Sequence, residues 1–331
     1  MAWAVTLGAA GLVALAWLWP FSFEDRSGPT DLVERGLIFI RSADWHLGLL
    51  TLALAALLAA FRFRLQAVTA ALLVCWLLAP SLWHFVPRPT PEAEGPILRV
   101  GVANLHTRNP DWATLPGIMH DAEPDLLALQ EHSGHWNREG PARLSGRWPH
   151  KGPSLRHRSN APRYGVRLYH HTPFVEAPAP VPMGVGDDDG RVVRGVIEFG
   201  GRLVSVYSVH LPHDVLYTQQ ARIARPLMRE LLRSIELDPN PIIIMGDFNT
   251  TPRGPRMAAL RRAGLRNAWS MAGRGRGVTW RTDFPLRDFV GLRIDHVLMS
   301  EELVCTFIER TGDFGSDHLG LIAEIRWRGT D

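Results

Sequence analysis

Almost every long stretch without a charged side chain lies before residue 88, and this asymmetry constrains the chain more than any other feature. Residues 1–23, Trp45 to Phe61 and Leu65 to Pro87 contain no Asp, Glu, Lys or Arg. A helix of about 20 apolar residues crosses a bilayer core. The first and third runs reach that length. The second is short, but Trp45 and Arg62 flank it as interface anchors. A signal peptide in place of the first run needs a basic start and a small-residue cleavage site, and neither is evident. The expectation is a membrane region over residues 1–87 with about three transmembrane helices, a buried hairpin of a soluble protein being the alternative. Only Phe-Arg-Phe-Arg (61–64) separates the second and third runs, as between antiparallel spans. Arg62 and Arg64 then mark the cytoplasmic side, and whatever follows residue 87 emerges outside the cytoplasm. The 24–44 loop mixes Glu24, Asp25, Asp31 and Glu34 with Arg26, Arg35 and Arg41, so it carries little orientation signal. Residues 88–96 are Pro-rich and read as a semi-rigid linker.

The remainder, 97–331, has the composition of one large soluble domain. Of 36 basic residues in the chain only Lys151 is lysine, and the net charge is +3. An arginine bias suits phosphate recognition but also follows from a GC-rich genome, and so small a net charge does not argue for nucleic acid. The two cysteines, Cys75 and Cys305, make no disulfide framework and no zinc-type spacing.

Strand-like runs recur at 97–105, 125–132, 164–171, 191–200, 202–211, 241–249, 293–300, 304–310 and 318–327. Gly200-Gly201 signals a hairpin. Helical patterns occupy 112–122, 214–236 and 255–263, and Pro226 should kink or split the second. Strands outnumber interleaved helices, which favours an α/β fold of two packed sheets flanked by helices over a parallel Rossmann sheet.

Several apolar runs end in polar residues that a core does not require. Asn104 closes RVGVAN, Glu131 closes LLALQE, His210 closes VYSVH, and Asp247 and Asn249 follow PIIIM. Asp295 and His296 interrupt RIDHVLM, and Asp317 and His318 open the last strand. Each alone reads equally well as a turn or a solvated strand end. Together they would make one polar cluster on an apolar scaffold. Oxygen ligands without cysteine suit a hard cation such as Mg2+, and the histidines could donate to phosphate or move protons near neutral pH.

These residues in this order resemble the endonuclease/exonuclease/phosphatase superfamily, over roughly 97–328. MGDFN (245–249), RIDHVL (293–298) and GSDHLGL (315–321) carry most of the likeness, supported by VANLH (102–106), ALQEH (128–132) and SVHLPH (208–213). The resemblance implies a four-layer α/β sandwich over 97–331 and a metal-dependent hydrolase of phosphate esters. It implies that Glu131 is the principal metal ligand, with Asn104 beside it and Asp317 near the metal or water. It implies that Asp247 positions or deprotonates the attacking water, and that Asn249 holds the scissile phosphate. His210 and His318 would bind and stabilise that phosphate, and Asp295 would orient His318. The implied ion is Mg2+, with Mn2+ the alternative. One departure is His170-His171, where many relatives carry Ser-Arg.

The expected substrate is a phosphate ester, diester or monoester, in a phospholipid headgroup or in nucleic acid. A bilayer anchor concentrates membrane substrates, and no dense basic stripe interleaved with aromatics marks a nucleic-acid groove. The expectation is therefore an extracytoplasmic phosphodiesterase near the membrane, the alternatives being a nuclease or a non-catalytic binding protein. Arg-rich GRGRG (273–277) reads as a flexible loop, or as a contact for polyanions.

Overall fold

The computed structural model describes residues 2–23, 29–153, 165–184, 190–213, 218–282 and 286–329. Four helices come first: α1 (Ala2–Leu18), α2 (Pro29–Ser42), α3 (Asp44–Ala60) and α4 (Arg64–Leu82). The expected loop between the first two runs is therefore largely a helix, α2; Glu24, Asp25 and Arg26 lie outside the described residues. The three-span expectation also needs correction. α1 and α3 have 17 residues each. Among the described residues only Arg64–Phe85 is by itself long and apolar enough to cross a membrane. A second span results only if α2 and α3, bent by 74° at their junction, count as one.

The strands form two six-stranded mixed sheets. β1 (Ala93–Asn104), β2 (Leu126–Gln130), β3 (His150–Lys151), β4 (Arg167–His170), β5 (Glu176–Pro180) and β6 (Val192–Phe199) come first. β7 (Arg202–His210), β8 (Ile242–Asp247), β9 (Arg266–Asn267), β10 (Asp295–Met299), β11 (Leu303–Arg310) and β12 (Leu321–Arg328) follow. One sheet runs β11-β12-β1-β2-β4-β3 and the other β5-β6-β7-β8-β10-β9. In each, the two central strands are parallel, β1 with β2 and β7 with β8.

Alternation along the strands fixes the layers. Val100 and Val102 of β1 meet Ile243 and Met245 of β8 between the sheets. Ile242 and Ile244 of β8 turn outward beneath α7 (Thr218–Glu236) and α8 (Pro255–Arg262). On the other outer face, Leu127 and Leu129 pack under α5 (Leu115–Ala122) and α6 (Gly134–Leu144). A strand covered on both faces needs apolar residues at every position, which is why PIIIM shows no polar alternation. The result is helices, sheet, sheet, helices, the order expected. The Gly200-Gly201 hairpin joins β6 to β7, with φ of 60° and 79°. α7 continues through Pro226 rather than splitting there; residues 214–217 of the expected helix lie outside the described residues. The segment read as a linker is partly strand: Ala93 pairs with Arg328 and Glu94 with Trp327.

Candidate active site

Parallel pairing and register gather the polar strand ends at one edge of the sandwich. His210 is directly opposite Asp247, and Asp247 opposite Asp295, so three adjacent strands set the three side chains in one row. Asn104 pairs with Gln130 in the facing sheet, and Glu131 follows at once. The two parallel strands of the second sheet approach closely there. A Cβ on Gly246, at φ of 141°, would lie 2.1 Å from the carbonyl oxygen of Val209. His106, Glu131 and Asn249 all hold positive φ, between 48° and 54°. For residues with a Cβ that is an uncommon backbone state, and it concentrates at functional sites.

Nδ2 of Asn104 donates to Oδ2 of Asp247 at 2.9 Å and to Oε1 of Glu131 at 3.3 Å, linking the sheets. Thr107 donates to Oε2 of Glu131 through its amide and its hydroxyl, at 3.2 and 3.1 Å. Nε2 of His210 is 3.5 Å from Glu131 and 3.7 Å from Asp247. The amide of Asn249 donates to Oδ1 of Asp247 at 2.8 Å, and its Nδ2 donates to the Leu211 carbonyl at 2.8 Å. His318 donates through Nδ1 to Oδ2 of Asp295 at 2.8 Å, leaving Nε2 3.9 Å from Asp247. Asp317 is set apart from these groups. Its Oδ1 is 3.4 Å from Nδ1 of His106, and its Oδ2 accepts from the Trp280 indole at 3.2 Å. His106, Trp280 and Asp317 line a cleft of about 860 Å³ beside this cluster, which also holds Arg108 and Arg281.

The electrostatics separate the histidines. Burial opposes charge on His318, but Asp295, Asp247 and Asp317 outweigh it and raise the ring to about 10. Burial, Arg191, His213 and His318 hold His210 well below the usual imidazole range. Burial and the Asp295 carboxylate push Asp247 up to about 8 against the pull of His318. Three crowded carboxylates next to one imidazolium form a site that a cation would relieve. Glu131, His210 and Asp247 offer ligand atoms within 4.8 Å of one another, as do Asp247, Asp295 and His318. Oxygen donors with one imidazole fit a hard divalent ion.

The sequence matches the family model described as Endonuclease/Exonuclease/phosphatase family over residues 102–318. The chain belongs to the endonuclease/exonuclease/phosphatase family. Members of that family are phosphoester hydrolases that use divalent metals. No curated protein sequence matches the chain significantly. Solved structures share its fold. The endonuclease/exonuclease/phosphatase from Beutenbergia cavernae is 20% identical with a TM-score of 0.54, covering 70% of this chain and 72% of that one. The family protein from Leptotrichia buccalis is 17% identical with a TM-score of 0.57, covering 70% and 100%. The 3′ phosphatase NExo from Neisseria, bound to a product DNA hairpin, is 18% identical with a TM-score of 0.57, covering 70% and 100%.

Within this family fold, Asn104, Glu131, His210, Asp247, Asn249, Asp295 and His318 converge, and Asp317 takes the rim. His170 and His171 are elsewhere. His170 pairs with Leu126, at the opposite end of the sheet from Glu131, and His171 approaches Asp125. GRGRG is tied down through Arg276, which packs over Trp45 at 4.5 Å and donates to the Phe289 and Gly291 carbonyls. Sequence reading gave no role to His106, Thr107, Trp280 or Thr279, whose hydroxyl accepts from the Asp295 amide at 3.1 Å. Burial lowers the His213 ring to about 4, with Arg256, His318 and Arg191 adding to the shift and Asp317 opposing it. The signal for His106 and His213 was their place inside VANLH and SVHLPH.

Proposed function

We propose that this chain is a Mg2+-dependent phosphodiesterase, with Mn2+ as the alternative ion, held at a membrane with its catalytic domain outside the cytoplasm. The observation that carries the chemistry is the row His210, Asp247, Asp295 and His318, facing Glu131 across the sheets. Glu131, with Asn104 beside it, would hold the ion, which when bound supplies charge stabilisation at the phosphoryl oxygens. Asp247 orients and deprotonates the attacking water. Asn249 fixes the scissile phosphate. Asp295 holds His318 by Nδ1, so that Nε2 is presented to the phosphate as a cation. His210 lies on the other side of Asp247, and the two rings bracket the substrate with donors already in place.

Membrane anchoring rests on the first four helices. Only 17% of the apolar window of Arg64–Phe85 is buried, unlike a core helix. A phospholipid headgroup is the substrate favoured by this placement. Nuclease activity is the second reading, favoured by the DNA-bound Neisseria relative. Against it, the cleft mixes Arg108, Arg281 and Arg287 with Asp111, Asp313 and Asp317 and makes no basic stripe.

The test is full-length protein in detergent, stripped of metal and assayed with and without Mg2+ against bis-(p-nitrophenyl) phosphate, phospholipids, DNA and RNA. Turnover unaffected by chelation would overturn the metal-dependent reading, and turnover of DNA alone would transfer the assignment to the nuclease. For orientation, C-terminal alkaline phosphatase and green fluorescent protein fusions should be active and dark, respectively.

A further inference from the structure

The second helix buries Leu37 and Ile38 against the protein but leaves another apolar face uncovered. Leu32, Val33, Gly36 and Phe39 share one face at helical spacing, and that face is open: Leu32 is 67% and Phe39 53% exposed. The opposite face carries the charges and clamps the catalytic domain. Arg225 of α7 is 2.8 Å from both Asp31 and Glu34, and Nε of Arg41 donates to the Arg253 carbonyl at 2.7 Å. Glu34 also accepts from the Trp19 indole at 3.0 Å. Leu37 and Ile38 are buried on the same side as these charged groups, while Leu32, Val33 and Phe39 face outward.

Two further observations point to what covers that outer face. The axis of α2 makes an angle of 74° with α3, so if α3 stands along a bilayer normal, α2 lies close to the bilayer plane. Aromatic residues also gather at the domain-side ends of the three apolar helices. Trp17 and Trp19 end α1, Trp45 opens α3, and Trp83 and Phe85 follow α4. That is the position of an interfacial aromatic belt.

We propose that α2 is an interfacial helix whose Leu32/Val33/Phe39 face rests in the headgroup–acyl boundary of the bilayer, while its charged face fastens the catalytic domain. The proposal rests on the membrane reading above but not on the chemistry. The helix lies on the membrane instead of spanning it, and it joins an anchor to a domain that would otherwise swing on a linker.

The test uses full-length protein with Cys75→Ser, which leaves only the buried Cys305, reconstituted in vesicles that contain brominated phospholipid. Single cysteines at Leu32 and Phe39 carry a bimane label, with Leu72→Cys on the exposed side of α4 as the membrane control and Leu237→Cys on the catalytic domain as the water control. The expected result is quenching at 32 and 39 by lipids brominated near the headgroup, strong quenching at 72 by deeply brominated lipids, and none at 237. Labels at 32 and 39 that behave like 237, or that follow the depth profile of 72, overturn the interfacial assignment. A label at 72 that stays unquenched removes the membrane anchor itself, and the interfacial helix with it.

Discussion

His318 and Asp295 form a buried pair, the ring nitrogen Nδ1 2.8 Å from the carboxylate oxygen Oδ2. Their strands are separated in sequence, and the Thr279 hydroxyl fixes the Asp295 backbone from a third segment. The pair orients the imidazole and keeps it charged, so its two functions fail together when Asp295 loses its charge. Asp295→Asn is expected to lower kcat by about 100- to 1,000-fold, the usual effect of removing one preorganised donor. Steady-state kinetics with circular dichroism as the folding control checks this. A folded variant with ordinary kcat would take the pair out of the chemistry.

Glu131 is half-exposed and held by Thr107 on one oxygen, with the other aimed at His210. Glu131→Gln keeps the size and the Thr107 contact but removes the charge. The apparent Mg2+ requirement should rise at least about 10-fold, because even residues behind metal ligands cost 10- to 100-fold in affinity. Titration calorimetry of Mg2+ into the variant reads this without any substrate. Unchanged affinity would move the ion elsewhere.

His210 and His318 flank Asp247 at 3.7 and 3.9 Å, while His132 is buried and stacked against Trp136. His210→Ala, Asp247→Asn and His318→Ala should each lose about 100-fold or more in kcat. The double histidine variant should lose less than the product of the singles, because both act on one transition state. His132→Ala should instead lower thermal stability and leave kcat near wild type. A reversed pattern would relocate the site.

The core strands and their polar ends were legible because each is an apolar run stopped by a polar residue that packing does not require. β8 starts after Pro241 and ends on Asp247, and register alone brings Asp247 opposite His210 and Asp295. β5 was not legible: Glu-Ala-Pro-Ala-Pro has no apolar period and suits only an edge. α6 was hidden by Gly140 and Pro141, although Ser133 caps it by accepting from the Trp136 amide at 3.0 Å. α2 read as a loop because its charges looked solvated. They are satisfied by Arg225, far along the chain, and no local pattern announces so distant a partner. His106 and His213 were in plain sight, but their roles depend on segments that meet only in the folded chain.

Arg253 is the main fastening between the helices and the catalytic domain. It stacks over Trp17 at 4.4 Å and Trp76 at 5.6 Å, donates to the Trp76 and Leu77 carbonyls, and is 3.5 Å from the buried Asp44. Arg253→Ala removes the stacking and leaves Asp44 without this cation, a change that typically destabilises by about 3 to 5 kcal/mol when the pair is buried. Undocking should expose residues 88–92, so limited proteolysis should cut there many times faster than in the wild type. An unchanged cleavage rate would show that the remaining contacts suffice.

Asp238 supplies a test of stability against pH that is independent of the candidate active site. Its carboxylate accepts from Arg194 at 2.7 and 3.3 Å, from Tyr207 at 2.6 Å, from Ser205 at 2.7 Å and from the Asn240 amide at 3.1 Å. Burial opposes its ionisation, but these donors outweigh burial and hold the group below its ordinary range. A carboxyl that ionises more readily in the folded state than in the unfolded state stabilises the fold above the unfolded value near about 3.9. That contribution disappears as pH falls through the lower folded value. Asp238→Asn keeps the shape but removes the charge, so at pH 7 it should destabilise the fold by about 2 kcal/mol. The gap in Tm between wild type and variant should stay constant from pH 7 to about 5 and then narrow as the wild type loses its advantage in acid. A gap that widens on acidification would mean that the carboxylate is unfavourable as a charge, and that the network is held by its neutral hydrogen bonds.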